Sequence, residues 1–481
     1  MSLPIYTIFM FIGRKYELGI IKQAIISNRA ELGIVYGRRR IGKSTLLQQA
    51  APDKKTLYLE ALQGVSLKKQ IEHFTFQLSK QTNTPIILAR NWHEAFDALT
   101  SHIEKGRWYI VFDEFPWMAA GRSELVALFK YYWDNYWKKN VKLTAVICGS
   151  VANFILNHIV HSKALHNRKT FEIKLEPLTA AESKLFFKNM RSEFEIAKFL
   201  MIFGGIPKYL EQIDPHTSFV NNIDRLCFQK NSFFIEEFET IFKEQFKVIN
   251  TYERITRVLA HSGYSKKELS DKLKIGSGGG LTDYLKTLER ADFVKIFTPV
   301  TPLKKQKGKT KKNVLWDEWL RFYFRYMEPN KKIIHLNTNP GLFEKITGKS
   351  LDIFFGISFE QLCMKNLPAL LNSIGCDVHQ IVNFGPFFRQ RSRSEPSQQG
   401  LQIDILLHRR GQVLTLFECK YSANPISASV ISEIERKIKF LKAPRNYTVE
   451  KVLITASGVT TGLQNRDYFH HILGLEDIFK P

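Results

Sequence analysis

Residues 37–45 read GRRRIGKST, and each residue type in that run has a use at the surface of a phosphate. Gly37 and Gly42 let backbone amides curl around an oxyanion, Lys43 brings a neutralising charge, and the Ser44 hydroxyl offers a hard oxygen to a divalent cation. The spacing G-x-x-x-x-G-K-[ST] is that of a phosphate loop. It predicts ATP and Mg2+ as cofactors and Gly37, Arg38, Arg39, Arg40, Ile41, Gly42, Lys43, Ser44 and Thr45 as the residues around the nucleotide. The apolar run ELGIVYG before the loop and STLLQQA at its end supply the strand and helix that such a loop needs.

The phosphate loop requires an acidic partner at the end of a second apolar strand, and RWYIVFDEF ends in one. Asp113 is expected to join Ser44 at the metal, and Glu114 to act on the attacking water as base or orienter. The run VKLTAVICGS ends in Ser150, placed either to sense the terminal phosphate or to cap a helix. Arg168, in LHNRKTFEI, reads either as a charge-stabilising arginine or as a solvated surface one.

A second set of charges stands where a buried sheet is predicted. In QIDILLHRRGQVLTLFECKY, residues 402–421, alternation sends Leu414, Leu416, Glu418 and Lys420 to one face and Thr415, Phe417, Cys419 and Tyr421 to the other. Both faces are largely apolar, and an unpaired buried carboxylate is costly unless a partner or metal compensates it. A hairpin across the basic turn sets Asp404 beside Glu418, so two carboxylates converge on one divalent cation. Lys420, on the same strand face, can polarise or deprotonate a water for in-line attack on a phosphate. The plainer reading is a Glu418–Lys420 ion pair at a sheet edge.

These side chains need elements to carry them. Up to about residue 180, short β-type runs alternate with amphipathic helices such as LKKQIEHFTFQLSKQ, which predicts a parallel sheet covered on both faces. From 181 to 247 the pattern is helical, broken by FGGIP, where Pro207 can begin a new helix. Residues 248–315 give three short helices, with Ser265 as an N-cap, and then a strand pair whose tip is the lysine-rich TPLKKQKGKTKKN; this describes a winged helix-turn-helix. Lys286 and Arg290 on its third helix, and Lys304, Lys305, Lys307 and Lys309 at its tip, are candidate phosphate contacts, although such modules also serve as protein-interaction surfaces. An aromatic connector spans 316–349, and residues 350–481 read helix, strand, basic loop, strand, strand, helix, strand, helix.

The whole chain has 481 residues, too many for one core, and a net charge of +24 that draws it toward polyanions such as DNA. Five cysteines without C-x-x-C spacing argue against a disulfide framework or a zinc module. The apolar N-terminal run LPIYTIFMFI is short of a bilayer span and has no basic residues before it, so a cytoplasmic protein without membrane attachment is expected.

The segments FIGRKYEL, GRRRIGKS, VFDEFPWM, ICGS, RKTFEIKLEPLTAAE and GGIPKYL resemble the archaeal-type ATPases of the STAND class, P-loop switches related to AAA+ proteins. That resemblance implies that Gly13 and Arg14 lie near the nucleotide, that Pro207 lets a helical lid contact the base, and that turnover is slow and switch-like. It covers nearly the whole chain, because such ATPases are often followed by a winged helix and a restriction-endonuclease-like domain. Asp404, Glu418 and Lys420 match the D-x(n)-E-x-K signature of PD-(D/E)XK nucleases, and Glu360 on SFEQLCMKNLPALL stands where that fold commonly supplies another acid. Gln402 stands where relatives often carry a second acid, while Arg409, Arg410 and the loop RQRSRSEPSQQG add cationic groups suited to a phosphate backbone. The expectation is therefore an α/β multidomain protein with an ATPase core at 1–180, a helical lid at 181–247, a winged helix at 248–315, a connector at 316–349 and a nuclease-like domain at 350–481. ATP would control access to DNA, which the last domain cuts with Mg2+, with a homo-oligomer forming on ATP binding. The alternatives are a nucleotide-gated DNA-binding regulator with an inactive nuclease scaffold, and a signalling ATPase that binds RNA or protein.

Overall fold

A computed structural model describes residues 11–51, 55–119, 124–150, 155–160, 165–245, 249–276, 278–300, 311–389 and 400–481. The chain divides into two compact units, Met1–Pro177 and Leu178–Pro481.

In the first unit the short β-type runs become strands β1 (Glu31–Gly37), β2 (Thr56–Glu60), β3 (Trp108–Asp113), β4 (Leu143–Ser150) and β5 (Phe171–Leu175). They form one sheet in the order β2-β3-β4-β1-β5, parallel throughout. Every residue of β1 is buried, as a central parallel strand covered on both faces requires. The helix Leu67–Thr82 starts where Ser66 accepts a hydrogen bond from the Lys69 amide, and Trp92–Ile103 starts at Asn91, which accepts from the Glu94 amide. Between these helices and the sheet, Phe74, Phe96, Phe112, Phe129 and Trp137 pack largely edge to face, with ring centroids 5.1–6.5 Å apart. Parallel strands all finish at the same edge of a sheet. With β3, β4 and β1 adjacent, Asp113, Ser150 and the loop after Gly37 come together there.

The second unit begins with helices, among them Glu193–Phe203, which stops at Gly204 (φ 62°), and the short Pro207–Leu210, with Pro207 as its first residue. Helices Ile249–Leu259, Lys266–Leu273 and Gly279–Arg290 follow, then the antiparallel pair β6 (Val294–Phe297) and β7 (Lys312–Leu315). Ser265 caps Lys266–Leu273 reciprocally with Glu268. The aromatic connector is buried through Trp319, Phe322, Tyr323 and Phe324. Lys304, Lys305, Lys307 and Lys309, and residues 390–399 of the arginine-rich loop, lie outside the described residues.

After helix Ser350–Lys365 comes a second sheet of β8 (Ile381–Arg389), β9 (Leu401–Arg409), β10 (Val413–Lys420), β11 (Thr448–Thr455) and β12 (His471–Leu473). Its order is β12-β11-β10-β9-β8; β9 is antiparallel to β8 and β10, while β10, β11 and β12 are mutually parallel. Helix Val430–Leu441 makes the β10–β11 crossover, and its Val430, Ile434 and Leu441 share a core with Leu414 and Leu416 of β10. Strand β12 is an addition to the expected order, and the expected helical run SFEQLCMKNLPALL breaks after Lys365, leaving Leu367–Ser373 as a helix of its own. Both are short enough to leave little periodicity.

Candidate functional site

At the edge of the first sheet, Lys43 is buried, and its Nζ donates to Gly37 O (3.3 Å), Arg38 O (3.1 Å) and Ser150 Oγ (3.2 Å). Ser150 passes the contact on. Its Oγ donates to Glu114 Oε1 (2.8 Å) and its amide to Glu114 Oε2 (3.2 Å). Glu114 is turned toward Ser150 by a left-handed backbone (φ 48°), a costly conformation for a non-glycine residue and one that concentrates at functional sites. The Ser44 hydroxyl donates to Asp113 Oδ2 at 2.7 Å, and the Tyr58 hydroxyl donates to the same oxygen. Burial and the Asp113 charge raise the Tyr58 phenol above its ordinary pKa, so it stays a donor. Burial, then the charges of Asp113 and Glu114, raise the carboxyl of Glu60, at the end of β2 opposite Asp113.

Arg14 is buried against this loop, its Nη2 donating to Glu176 O (2.5 Å) and Ile41 O (3.4 Å). Gly13 (φ 71°) and Gly42 (φ 89°) adopt backbones that favour glycine, and a Cβ on Gly37 would meet Leu175 O at 2.5 Å. Arg39 lies over the Trp117 ring, 5.0 Å from its centroid. Arg168 forms a two-pronged ion pair with Asp134, at 2.8 and 2.7 Å.

In the second sheet Asp404 Oδ2 accepts from the Cys419 amide at 2.9 Å, which sets it beside Glu418 across the β9–β10 hairpin. Glu418 is buried, and Lys437 Nζ, from helix Val430–Leu441, donates to both of its oxygens at 2.7 and 2.6 Å. Lys420 Nζ reaches Glu418 (2.9 Å) and Glu433 (2.8 Å), and Glu433 lies 3.3 Å from Lys437. Two lysines and two glutamates therefore form a closed quartet. Burial opposes the Lys420 charge, but Glu418 and Glu433 outweigh it and hold its pKa above normal. Lys420 thus suits polarising a water better than deprotonating one.

Glu360 faces the same cavity of about 500 Å3, which Lys312, Gln402, Arg436 and Lys437 also line. The Gln402 amide donates to Glu360 at 3.4 Å. Burial, then the neighbouring charge of Asp404, pushes the Glu360 carboxyl up to about 8, and burial followed by Glu418 pushes Asp404 to about 6. Among the described residues no three His, Cys, Asp or Glu side chains are gathered tightly enough to hold a metal ion. Both oxygens of Glu418 are engaged by Lys437.

Residues 11–213 match the model of an ATPase domain predominantly from Archaea, and residues 323–436 match a family described as archaeal and bacterial proteins of unknown function. An uncharacterized protein of Methanocaldococcus jannaschii is 29% identical over 361 residues, covering 74% of this chain and 77% of that protein. A short uncharacterized ATP-binding protein of the same organism is 44% identical over 50 residues, 10% of this chain and 85% of its own length. The Walker-type ATPase of Pyrococcus abyssi, at 19% identity, covers 66% of this chain and 96% of its own, with a TM-score of 0.48. The chain carries a nucleotide-dependent P-loop ATPase domain of the archaeal type.

In this ATPase the expected residues Lys43, Ser44, Asp113, Glu114 and Ser150 meet within hydrogen-bond reach of one another. Ser150 Oγ lies between Lys43 and Glu114. Arg168, partly buried, is engaged with Asp134. Lys286 and Arg290 are exposed one turn apart on helix Gly279–Arg290. Among the described residues no helix is long and apolar enough to cross a membrane. Sequence reasoning missed Tyr58, Lys437 and Glu433. For Tyr58 the available signal was its position in an apolar strand, where a buried hydroxyl needs a partner. Glu433 and Lys437 are spaced i,i+4 on a helix predicted to follow the strand, which placed them over the same sheet face.

Proposed function

We propose that this ATPase is a STAND/AAA+-like switch that binds and hydrolyses ATP with Mg2+ and couples that cycle to DNA, which residues 350–481 cut in a metal-dependent reaction. The observation that carries the first half is the contact chain Lys43–Ser150–Glu114 beside the Ser44–Asp113 pair. A hydroxyl and a carboxylate 2.7 Å apart are the hard-oxygen donors that Mg2+ prefers, so Ser44 and Asp113 fit the ion. When bound, Mg2+ neutralises charge developing on the transferred phosphoryl group. Lys43 is drawn off the carbonyls of Gly37 and Arg38 onto the β- and γ-phosphates, and Glu114, released by Ser150, orients the attacking water. Gly13, Arg14, Arg38–Thr45 and Pro207 belong to the same nucleotide site by resemblance, and Pro207 would carry the lid to the base.

For DNA, support comes from the net charge of +24 and from the exposed Lys286 and Arg290 on helix Gly279–Arg290, which precedes the β6–β7 pair. For cleavage, support comes from Asp404 and Glu360, whose mutual repulsion in a buried cavity is what a divalent ion relieves. Asp404 and Glu418 would hold it, with Lys420 polarising the water. One observation favours the second reading, a DNA-binding regulator with a silent nuclease scaffold: both Glu418 oxygens are engaged by Lys437. Plasmid nicking by the full chain with ATP and Mg2+, with EDTA and Lys420→Ala as controls, separates the two. Nicking abolished by both controls supports the nuclease; no nicking with DNA binding intact leaves the regulator.

A further inference from the structure

Glu360 and Asp404 stand at the junction of two cavities of different character. One is the cavity already described, lined by four basic and four acidic side chains. The other, about 270 Å3, shares Lys312, Glu360, Phe388, Gln402 and Asp404 with it and continues past Phe297, Trp316 and Arg321. Its rings are half-buried rather than sealed into a core. Phe297 meets Trp316 edge to face with centroids 5.5 Å apart, and Lys312 Nζ lies 4.5 Å from the Phe388 centroid. Arg321, in the same wall, is 6% exposed. Its Nη2 donates to Leu315 O at 2.6 Å and to Gln361 Oε1, while Nη1 is buried with no acceptor among the described residues. A buried guanidinium N–H without an acceptor is destabilising, so its retention beside a cavity calls for a group that completes it.

These features define an occupant. Aromatic faces with one buried donor accommodate a flat, apolar-faced body with an acceptor on its edge. In the larger cavity Lys312 and Arg436, the basic groups outside the Lys420–Lys437 quartet, suit a backbone phosphate. A nucleotide whose base has left its stack combines the flat body, the edge acceptor and the phosphate.

We propose that the smaller cavity receives an unpaired nucleobase, so that the DNA engaged here is single-stranded or locally opened at the bound position; this rests on the DNA reading given above. A base inside a duplex is stacked on both faces and cannot enter without being flipped out. Stacking on Phe388, with Phe297 and Trp316 closing the cavity around it, then contributes binding that tolerates any base.

The test titrates the full-length protein, in EDTA, with fluorescein-labelled oligothymidylate, an abasic strand of the same length, and a blunt duplex. The base-bearing strand is expected to bind about tenfold more tightly than the abasic one. Phe388→Leu and Arg321→Met should lose most of that margin while binding the abasic strand as the wild type does. Equal affinity for the two strands in the wild type, or an unchanged margin in Phe388→Leu, overturns the proposal while leaving DNA binding standing. Binding to none of the three overturns both the pocket and the DNA reading. Phe388 is half-buried, so its variant remains decisive if Arg321→Met does not fold.

Discussion

Ser150 joins Lys43 to Glu114, so the two charges of the nucleotide site are read by one hydroxyl. Lys43→Ala is expected to abolish nucleotide binding, measured by titration with a fluorescent ATP analogue. Glu114→Gln should bind ATP normally and lose roughly 10²–10⁴-fold in turnover, read as phosphate release. In the other unit, Glu360 keeps a proton in the folded state up to about pH 8 that the unfolded chain releases near pH 4.5, as an ordinary glutamate does. The folded chain thus binds more protons over that window, and stability falls as pH rises through it. Melting temperature should decline from pH 5 to pH 8, and Glu360→Gln should flatten the decline. Lys437→Met should lower the melting temperature, because it leaves Glu418 short of its buried partner. If Asp404 and Glu418 hold Mg2+, the ion should stabilise this variant more than the wild type, read as the shift in melting temperature on titration. The motif residues were legible because their chemistry is local, set by a loop or by one hairpin. Lys437, Tyr58 and Arg321 were not, because each reaches its partner across separate elements that local periodicity does not pair.

At the level of elements, legibility followed the strength of the pattern. Strands β1, β3 and β4 were marked by apolar runs, and Asp113 and Ser150 at the ends of β3 and β4 carried the site with them. The three-residue β12 offered too short a period to read. Capping was legible as well: Ser265→Ala removes a reciprocal cap and should cost about 1 kcal/mol, measured by urea unfolding. Gly37→Ala is expected to be more severe, because the added methyl meets Leu175 O across the β1–β5 pair. Both nucleotide binding and the melting temperature of the first unit should drop.

For the molecule as a whole, a net charge of +24 predicts a long-range preference for polyanions that no single residue carries. DNA affinity should fall steeply with salt, and the slope of log K against log salt should lessen by about one for each phosphate-contacting lysine removed, Lys286 among them. A flat salt profile would remove DNA as the partner. Composition supplied this expectation, but it did not foretell how thoroughly the interior charges would be matched. Lys43 rests on carbonyls and Ser150, Glu418 on Lys437, and Asp404 on the Cys419 amide.

That self-matching has a kinetic corollary. An incoming phosphate or cation must displace an internal partner, so capture is an exchange and its rate is capped by how often the resident contact opens. Association should level off at high ligand concentration instead of climbing without limit, and ADP, which does not extend as far toward Ser150, should disturb β4 less than ATP. Rapid-mixing traces that stay linear in concentration would show the contacts to be no barrier.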